Sequence, residues 1–585
     1  MKKSRPGSTS VRSVNYATSP LLASKTPPWR SRFVVVMVGA AFLLLLGRAV
    51  QVQIVSTDFY QAEGEKRFVH KQALPASRGR IYDRNGLVLA TSVAMPSVQV
   101  DTKTFAADTA QRRALAGLLG MPAAELDQRL QGSGTVTLRR HVGEADWQEI
   151  KALKVRGVQE VREYQRRYPE GESAAHVVGF TNIDDRGQEG IELGFQQQLL
   201  GRSGQRTVVR DRLGRVVEEL GDQADPVDGS DITLSIDSKV QFFAWQRLRD
   251  AVHQHGARAG SVVVLDVVTG EVLALANYPS FDPSQRHHLS GEQLRNRALT
   301  DIFEPGSTMK PFTVAAALEA GKVTPQRQIQ TAPGKLTIGK HTIGDAHAYG
   351  LLTVAEVVAK SSNVGTAKIA LDLPAETMWD LYTKVGFGQA PRVAVGAVAG
   401  RLRPASAWRP IEQATIGYGY GLSVSLLQLA RAYTVFARDG DIVPLSLVKV
   451  DASPPSIPVL SSETAAAMRQ MLEMAVGPGG TAPRARIEGY RVAGKTGTAR
   501  KLHNGRYVSN YVASFAGFAP VSDPRLVVAV MIDEPAGGQI YGGQVAAPVF
   551  AEIAARSLRT LQVLPDAPAT TVVARNGAER REGPL

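Results

Sequence analysis

Apolar positions fall into three regimes along the chain. The first is a single run, FVVVMVGAAFLLLLG at 33–47, followed by Arg48 and a mixed end at Val52-Gln53-Ile54-Val55. Counted to Val55 it gives about 20 residues, enough to cross a bilayer as a helix if Arg48 snorkels to the interface. From 56 onward the pattern breaks into short pieces: a polar helical stalk at 56–75, alternating strands at 88–90 and 98–100, helices around Leu115–Leu119 and 147–153, a helix at 191–200, and strands at 207–211 and 215–220. Past a polar Pro/Gly segment at 221–229 the third regime begins. There a strand is expected at 232–237, a helix at 240–253, and a hairpin of 261–266 with 271–276 across Val268-Thr269-Gly270. Further helices are expected at Val354–Lys360 and 426–436, and two closing strands at 490–499 and 526–532. Strands that open and close around helices predict an α/β domain with a mainly antiparallel sheet. Beyond Pro565 the pattern is lost, which predicts a disordered tail at 566–585.

At 585 residues the chain requires several domains. The boundaries read as a basic tail at 1–32, a transmembrane anchor at 33–55, a non-catalytic α+β pedestal at 56–225, a main domain at 226–565 and the tail at 566–585. The formal net charge is +14, but seven positives lie in the first 32 residues: Lys2, Lys3, Arg5, Arg12, Lys25, Arg30 and Arg32, with no acid. Positives before the apolar run and Asp58, Glu63 and Glu65 after it place the N-terminus in the cytoplasm and the body outside. A cleaved signal peptide is the rival reading; the long region ahead of the run and the lack of a small-x-small site argue against it. Attraction of the tail to a lipid membrane accounts for the basicity, and no nucleic-acid module is recognisable. The absence of cysteine excludes disulfides, thiol nucleophiles and cysteine-held zinc.

The chemistry concentrates at Glu304-Pro305-Gly306-Ser307-Thr308-Met309-Lys310-Pro311, where a Pro-Gly turn delivers a serine to the start of an apolar helix that ends at Gly321. Ser307 and Lys310 stand at i and i+3 on one face. A serine needs a neighbouring base, and a desolvated lysine amine can serve. Two further pieces can join them. Lys360-Ser361-Ser362-Asn363-Val364-Gly365 offers Ser361 and Asn363 to one cleft. Gly494-Lys495-Thr496-Gly497-Thr498 offers a cation for a carboxylate, glycines for close approach, and backbone N–H groups for an oxyanion.

The second piece contains a decoy. Gly489-Tyr490-Arg491-Val492-Ala493-Gly494-Lys495-Thr496 fits the phosphate-loop pattern, with 527–532 and Asp533 resembling a magnesium-binding strand. A phosphate loop needs a strand before its first glycine and a helix after its Lys-Thr. Here TAPRARIE precedes it and Gly497-Thr498-Ala499-Arg500-Lys501 follows, so an NTPase is the remote alternative.

Ser-x-x-Lys, Ser-x-Asn and Lys-Thr-Gly in this order resemble the signature set of penicillin-recognising serine enzymes. The anchor, Arg78-Gly79-Arg80-Ile81-Tyr82-Asp83-Arg84-Asn85-Gly86, Arg166-Arg167-Tyr168-Pro169 and Gly179-Phe180-Thr181-Asn182 extend the resemblance over 33–565, to class B penicillin-binding proteins. Tyr418-Gly419-Tyr420-Gly421-Leu422, Gln428-Leu429-Ala430-Arg431, Tyr541-Gly542-Gly543 and Ala546-Ala547-Pro548-Val549-Phe550 point to the division-specific FtsI type; AVGAVAG at 394–400 departs from it, where a more acidic turn is expected.

The resemblance implies the penicillin-binding transpeptidase fold and a septal D,D-transpeptidase acting on peptidoglycan stem peptides, acylated by β-lactams. In that scheme Ser307 is the nucleophile, Lys310 the base and Ser361 the proton relay. Asn363 orients the substrate amide, Lys495 and Thr496 hold the terminal carboxylate, and Gly497 and Thr498 line the donor. It implies no cofactor and no metal. It also implies an inner-membrane location at the division septum with a periplasmic catalytic domain, and divisome partners that include an FtsW-type glycosyltransferase. Alternatives within the fold are an elongation-type transpeptidase and a β-lactam hydrolase or sensor. Ser361 stands where a hydrolase would carry tyrosine, and one membrane span suits a sensor poorly.

Overall fold

The computed structural model describes residues 27–210, 216–285, 289–393, 395–503 and 505–567. Residues 1–26, which hold most of the basic tail, residues 211–215 and most of the tail expected at 566–585 lie outside them. The chain divides into two compact units, 1–74 with 205–225, and 75–204 with 226–585.

In the first unit the apolar run is helical from Pro28, whose missing N–H suits a first turn, to Val50, and it continues as a wider turn over Gln51–Val55. The most apolar 18-residue stretch within these 28 residues has a mean hydropathy of 2.4, and the helix is long and apolar enough to cross a membrane. The stalk is a helix only to Phe68. Val69–Leu74 is a strand of a three-stranded sheet with Gly204–Arg210 and Val216–Ala224.

In the second unit, the alternating pieces at 88–90 and 98–100 are parts of one strand, Val88–Asp101, paired antiparallel with Val158–Arg167 and Thr135–Arg139. Three helices cover it through Leu115, Leu126, Trp147 and Ile150. Two arginines of the Arg78–Gly86 and Arg166–Pro169 stretches hold the fold together. Arg78 and Arg166, both buried, hold opposite oxygens of the buried Glu192 carboxylate at 2.5 and 2.7 Å. Arg78 also donates to the Glu192 carbonyl at 2.7 Å, and Arg166 to the Ser92 hydroxyl at 3.1 Å. The Asp83–Asn85 turn ties this region to the main domain: Asp83 accepts from the Ser238 N–H at 3.1 Å, and Asn85 donates to Asp237 at 2.9 Å. Asp237 caps the helix Ser238–Gln254 (α1) by accepting from the N–H groups of Lys239 and Val240.

The main sheet has five strands: Ala259–Asp266 (β1), Val272–Tyr278 (β2), Ala493–His503 (β3), Arg506–Ala519 (β4) and Leu526–Asp533 (β5). Their order is β2-β1-β5-β4-β3, and every pairing is antiparallel. All residues of β1 and β5 are buried, which explains why they read as continuous apolar runs rather than alternating ones. One face packs on α1 and a helix at Gly542–Thr560 through Leu248, Phe550 and Ile553. The other packs on a helical layer built around Lys310–Glu319 (α2) and Leu426–Ala437. There Phe312 is fully enclosed, its ring 4.9–5.5 Å from those of Phe387, Tyr433 and Phe436. Truncating it would cost about 3–5 kcal/mol and loosen the helix behind Lys310.

Candidate active site

The serine sits on a tighter turn than the sequence predicts. Gly306–Met309 is a 3-10 turn, and the α-helix begins only at Lys310. The i and i+3 positions of a 3-10 turn eclipse each other, so Ser307 and Lys310 share a face more closely than on an α-helix. Gly306, at φ +55°, makes the entry bend. Its N–H donates to the Gly419 carbonyl at 3.1 Å, and a Cβ at Gly419 would stand 2.0 Å from the Gly306 oxygen. The Tyr-Gly-Tyr-Gly loop therefore clamps the turn through backbone alone. Thr308 Oγ1 donates to the Pro305 carbonyl at 2.8 Å, and the buried Tyr433 hydroxyl donates to the Thr308 carbonyl at 2.9 Å. Ser307 remains half-buried while Thr308, Met309 and Lys310 are buried.

Beneath the turn two enclosed lysines meet at one hydroxyl. Lys310 Nζ donates to Ser361 Oγ at 3.0 Å and also to the Ser361 carbonyl. Lys495 Nζ donates to the same Oγ at 2.9 Å and lies 3.4 Å from Thr496 Oγ1. Both lysines are fully inaccessible, and neither has a carboxylate in contact among the described residues. Burial holds the Lys310 amine well below the usual lysine range; the Lys495 charge pushes it lower, and only Asp345 opposes. Burial brings Lys495 down to about 7. A lysine in this state has a lone pair available near neutrality, as a base requires. Ser361 follows the helix Val354–Lys360 in the left-handed region, at φ +64°, where glycine is usual. That conformation lets its carbonyl and hydroxyl both meet Lys310.

Asp345 is the site residue that sequence reasoning missed. It follows the hairpin of Lys335–Ile338 with His341–Gly344. Its carboxylate accepts from Ser362 Oγ at 2.6 Å, from the Asn363 N–H, and from the Val364 N–H at 3.0 Å. It thus neutralises the start of the helix Asn363–Leu371, where unpaired N–H groups and the helix dipole favour an anion. Asn363 Nδ2 donates to the Gly344 carbonyl at 2.8 Å. Nothing in the sequence marks Asp345 except its place in a polar run between two short apolar pieces.

β3 is an edge strand, so the side of it away from β4 is free to pair with an extended ligand. A Cβ on Gly497 would lie 2.3 Å from Ser514 Oγ and 2.8 Å from the Pro305 carbonyl; glycine alone lets the strand pass this close to the serine turn. Thr498 Oγ1 accepts from the Gly542 N–H at 3.0 Å, and Thr496 Oγ1 pairs with Thr481 Oγ1 at 3.1 Å. Lys495 and Thr496 lie inside this strand, with no helix behind them, and a 3-10 turn at Pro483–Ala485 precedes Gly489. The phosphate-loop reading fails on both counts. Ser307, Lys310, Ser361, Lys495, Thr496, Gly497 and Thr498 thus come from three separate stretches to one place, while Asn363, two residues past Ser361, turns its amide to the Gly344 carbonyl.

The sequence matches the penicillin binding protein transpeptidase domain over residues 260–555 and the penicillin-binding protein dimerisation domain over 73–234. It is 43% identical over 550 residues to the probable peptidoglycan D,D-transpeptidase PenA of Neisseria gonorrhoeae, covering 92% of this chain and 94% of that protein. Against the peptidoglycan D,D-transpeptidase FtsI of Escherichia coli strain K12 it is 40% identical, covering 92% and 93%. The structure matches penicillin-binding protein 3 of Mycobacterium tuberculosis, solved as an aztreonam complex, with a TM-score of 0.67 and 30% identity over 85% of this chain and 99% of that one. With two domains matched in order and a fold shared along most of its length, the chain belongs to the penicillin-binding protein transpeptidase family, in the FtsI and PenA group.

Proposed function

We propose that Ser307 is the nucleophile of a peptidoglycan D,D-transpeptidase, with Lys310 and Ser361 as its proton machinery and Lys495 as its carboxylate clamp; the Ser361 hydroxyl shared by the two buried lysines is the observation that carries the reading. Ser307 Oγ attacks the penultimate D-alanine carbonyl of a donor stem peptide and gives its proton to Lys310 Nζ. The tetrahedral oxyanion is held by the N–H groups of Ser307 and Thr498, each worth roughly 3–4 kcal/mol where such donors have been removed. As the C–N bond breaks, Ser361 passes a proton from Lys310 to the departing D-alanine amine. Lys495 and Thr496 hold the terminal carboxylate, Gly497 and Thr498 line the donor, and Asn363 orients its amide. An amine of a second strand then attacks the ester carbonyl, forming the cross-link amide and returning Ser307. A β-lactam enters as a donor mimic whose leaving amine stays tethered, so the acyl-enzyme persists.

The anchor, pedestal and catalytic domain fit a single-pass inner-membrane protein with its catalytic domain in the periplasm. The likeness to FtsI supports work at the division septum, with divisome partners including an FtsW-type glycosyltransferase. Depletion then gives filaments; rounded cells would indicate an elongation enzyme. The direct test is labelling of the full-length protein with a fluorescent penicillin, followed by mass mapping. The label is expected on Ser307 and lost in a folded Ser307→Ala variant; labelling retained in that variant would overturn the assignment.

A further inference from the structure

The 3-10 turn that carries Ser307 has a cause in the residue after Lys310. An α-helical bond to the Ser307 carbonyl would come from the N–H four residues on, and that residue is Pro311, which has none. The carbonyl is met from three residues on instead, by the Lys310 N–H, and that is the bond of a 3-10 turn. The same proline leaves a second gap. The N–H three residues beyond Thr308 would again be that of Pro311, so the Thr308 carbonyl has no 3-10 partner. Thr308 is fully buried, and a buried carbonyl without a donor is costly. The Tyr433 hydroxyl fills the gap, donating at 2.9 Å.

Tyr433 is itself held in place. It is fully enclosed on the helix Leu426–Ala437, its ring edge-on to those of Phe312 at 5.5 Å and Phe436 at 5.9 Å. Burial pushes its hydroxyl well above the ordinary tyrosine range, so it stays protonated and able to donate. Just past Pro311 on α2, Thr313 Oγ1 donates to the Gly417 carbonyl at 2.6 Å and lies 2.7 Å from the Tyr382 hydroxyl, which fixes the roll of the helix behind the turn. At about 120° per residue a 3-10 turn brings Lys310 round onto the side of Ser307; at about 100° per residue an α-helix would leave the two about 60° apart. We propose that Pro311 and Tyr433 are positioning residues for acylation: the proline denies Ser307 and Thr308 the backbone bonds of an α start, the tyrosine supplies the missing donor, and together they keep Ser307 in line with Lys310. The device rests on the reading of Ser307 as nucleophile and adds what aims it.

Saturation kinetics of acylation by a fluorescent penicillin, on the full-length protein in detergent, separate the half-saturating concentration from the maximal rate. Pro311→Ala restores the missing N–H; it is expected to lower the maximal rate about tenfold while the half-saturating concentration stays and the melting midpoint does not fall. Tyr433→Phe is expected to slow the folded fraction to a similar extent, with a lower melting midpoint because a buried carbonyl loses its donor. With an N–H restored at position 311 the hydroxyl has less to do, so P311A/Y433F is expected to acylate no slower than the slower single variant. A natural maximal rate in Pro311→Ala, a change confined to its half-saturating concentration, or two slowdowns that multiply in the double variant would overturn the device. If Tyr433→Phe fails to fold, Pro311→Ala decides alone. A natural protein whose label maps to a residue other than Ser307 would instead remove the nucleophile reading beneath it.

Discussion

The pedestal and the catalytic cleft each bury two cations, and they neutralise them in opposite ways. Around Glu192, Arg78 and Arg166 meet a carboxylate that takes one guanidinium on each oxygen, with backbone and hydroxyl acceptors for other N–H groups. Around Ser361, Lys310 and Lys495 meet only hydroxyls and carbonyls, those of Ser361 and Thr496. Arginine stays charged in any protein and needs its anion; lysine can escape burial by losing a proton. The first cluster holds a fold in place. The second turns desolvation into basicity, and its lack of a contacting carboxylate is what makes it useful.

The contrast breaks most visibly at Lys310. Lys310→Ala is expected to slow acylation by fluorescent penicillin about 10²–10⁴-fold, the range of a general base, without lowering the melting midpoint. A midpoint that falls with the rate would make Lys310 structural. Glu192→Gln should do the reverse. It strands two buried guanidinium groups and is expected to cost about 3–5 kcal/mol in urea unfolding, while the folded fraction still labels at the natural rate. Stability left unchanged would mean that the pair is already neutralised by its backbone acceptors.

Lys495 sharpens the comparison through pH. Its amine titrates near 7 in the folded protein and near 10.4, the ordinary lysine value, when unfolded. Between those values the unfolded chain holds more protons, so stability is expected to climb as pH rises from about 7 toward about 10, with the full penalty present below the folded value. Lys310, depressed in the same direction, adds to the slope. Lys495→Met is expected to flatten it in urea titrations at several pH values; an unchanged slope would place the depressed amine elsewhere. The smallest effect is expected at Asp345. Asp345→Asn keeps the shape but removes the charge from a helix start, costing about 1–2 kcal/mol and slowing acylation several-fold. A loss as large as that of Lys310→Ala would make Asp345 part of the proton path.

The chemistry of this site was more legible than its scaffold, for reasons visible in particular residues. Ser307 with Lys310, Ser361 with Asn363, and Lys495 with Thr498 are local spacings, readable without knowing the fold. β4 escaped because it begins with the polar RYVSNY and continues in small residues, VASFAGFA, so neither alternation nor a long apolar run marks it. The helix Gly542–Thr560 escaped because it opens on two glycines and carries Pro548 inside. The turn under Ser307 read as α-helical because Ser-x-x-Lys does not distinguish a 3-10 turn from an α turn. Asp345 acts across 18 and 19 positions of chain through backbone N–H groups, which leave no trace in the identity of the residues they serve.

The close passage of Gly497 past Pro305 has an evolutionary consequence. Where Gly497 passes the Pro305 carbonyl the contact is with main chain, and main-chain atoms are the same whatever residue is encoded. A lineage under drug selection therefore has few letters to change at the point where substrate and inhibitor look alike. Its room for discrimination lies outward, among side chains that touch one of the two molecules and miss the other.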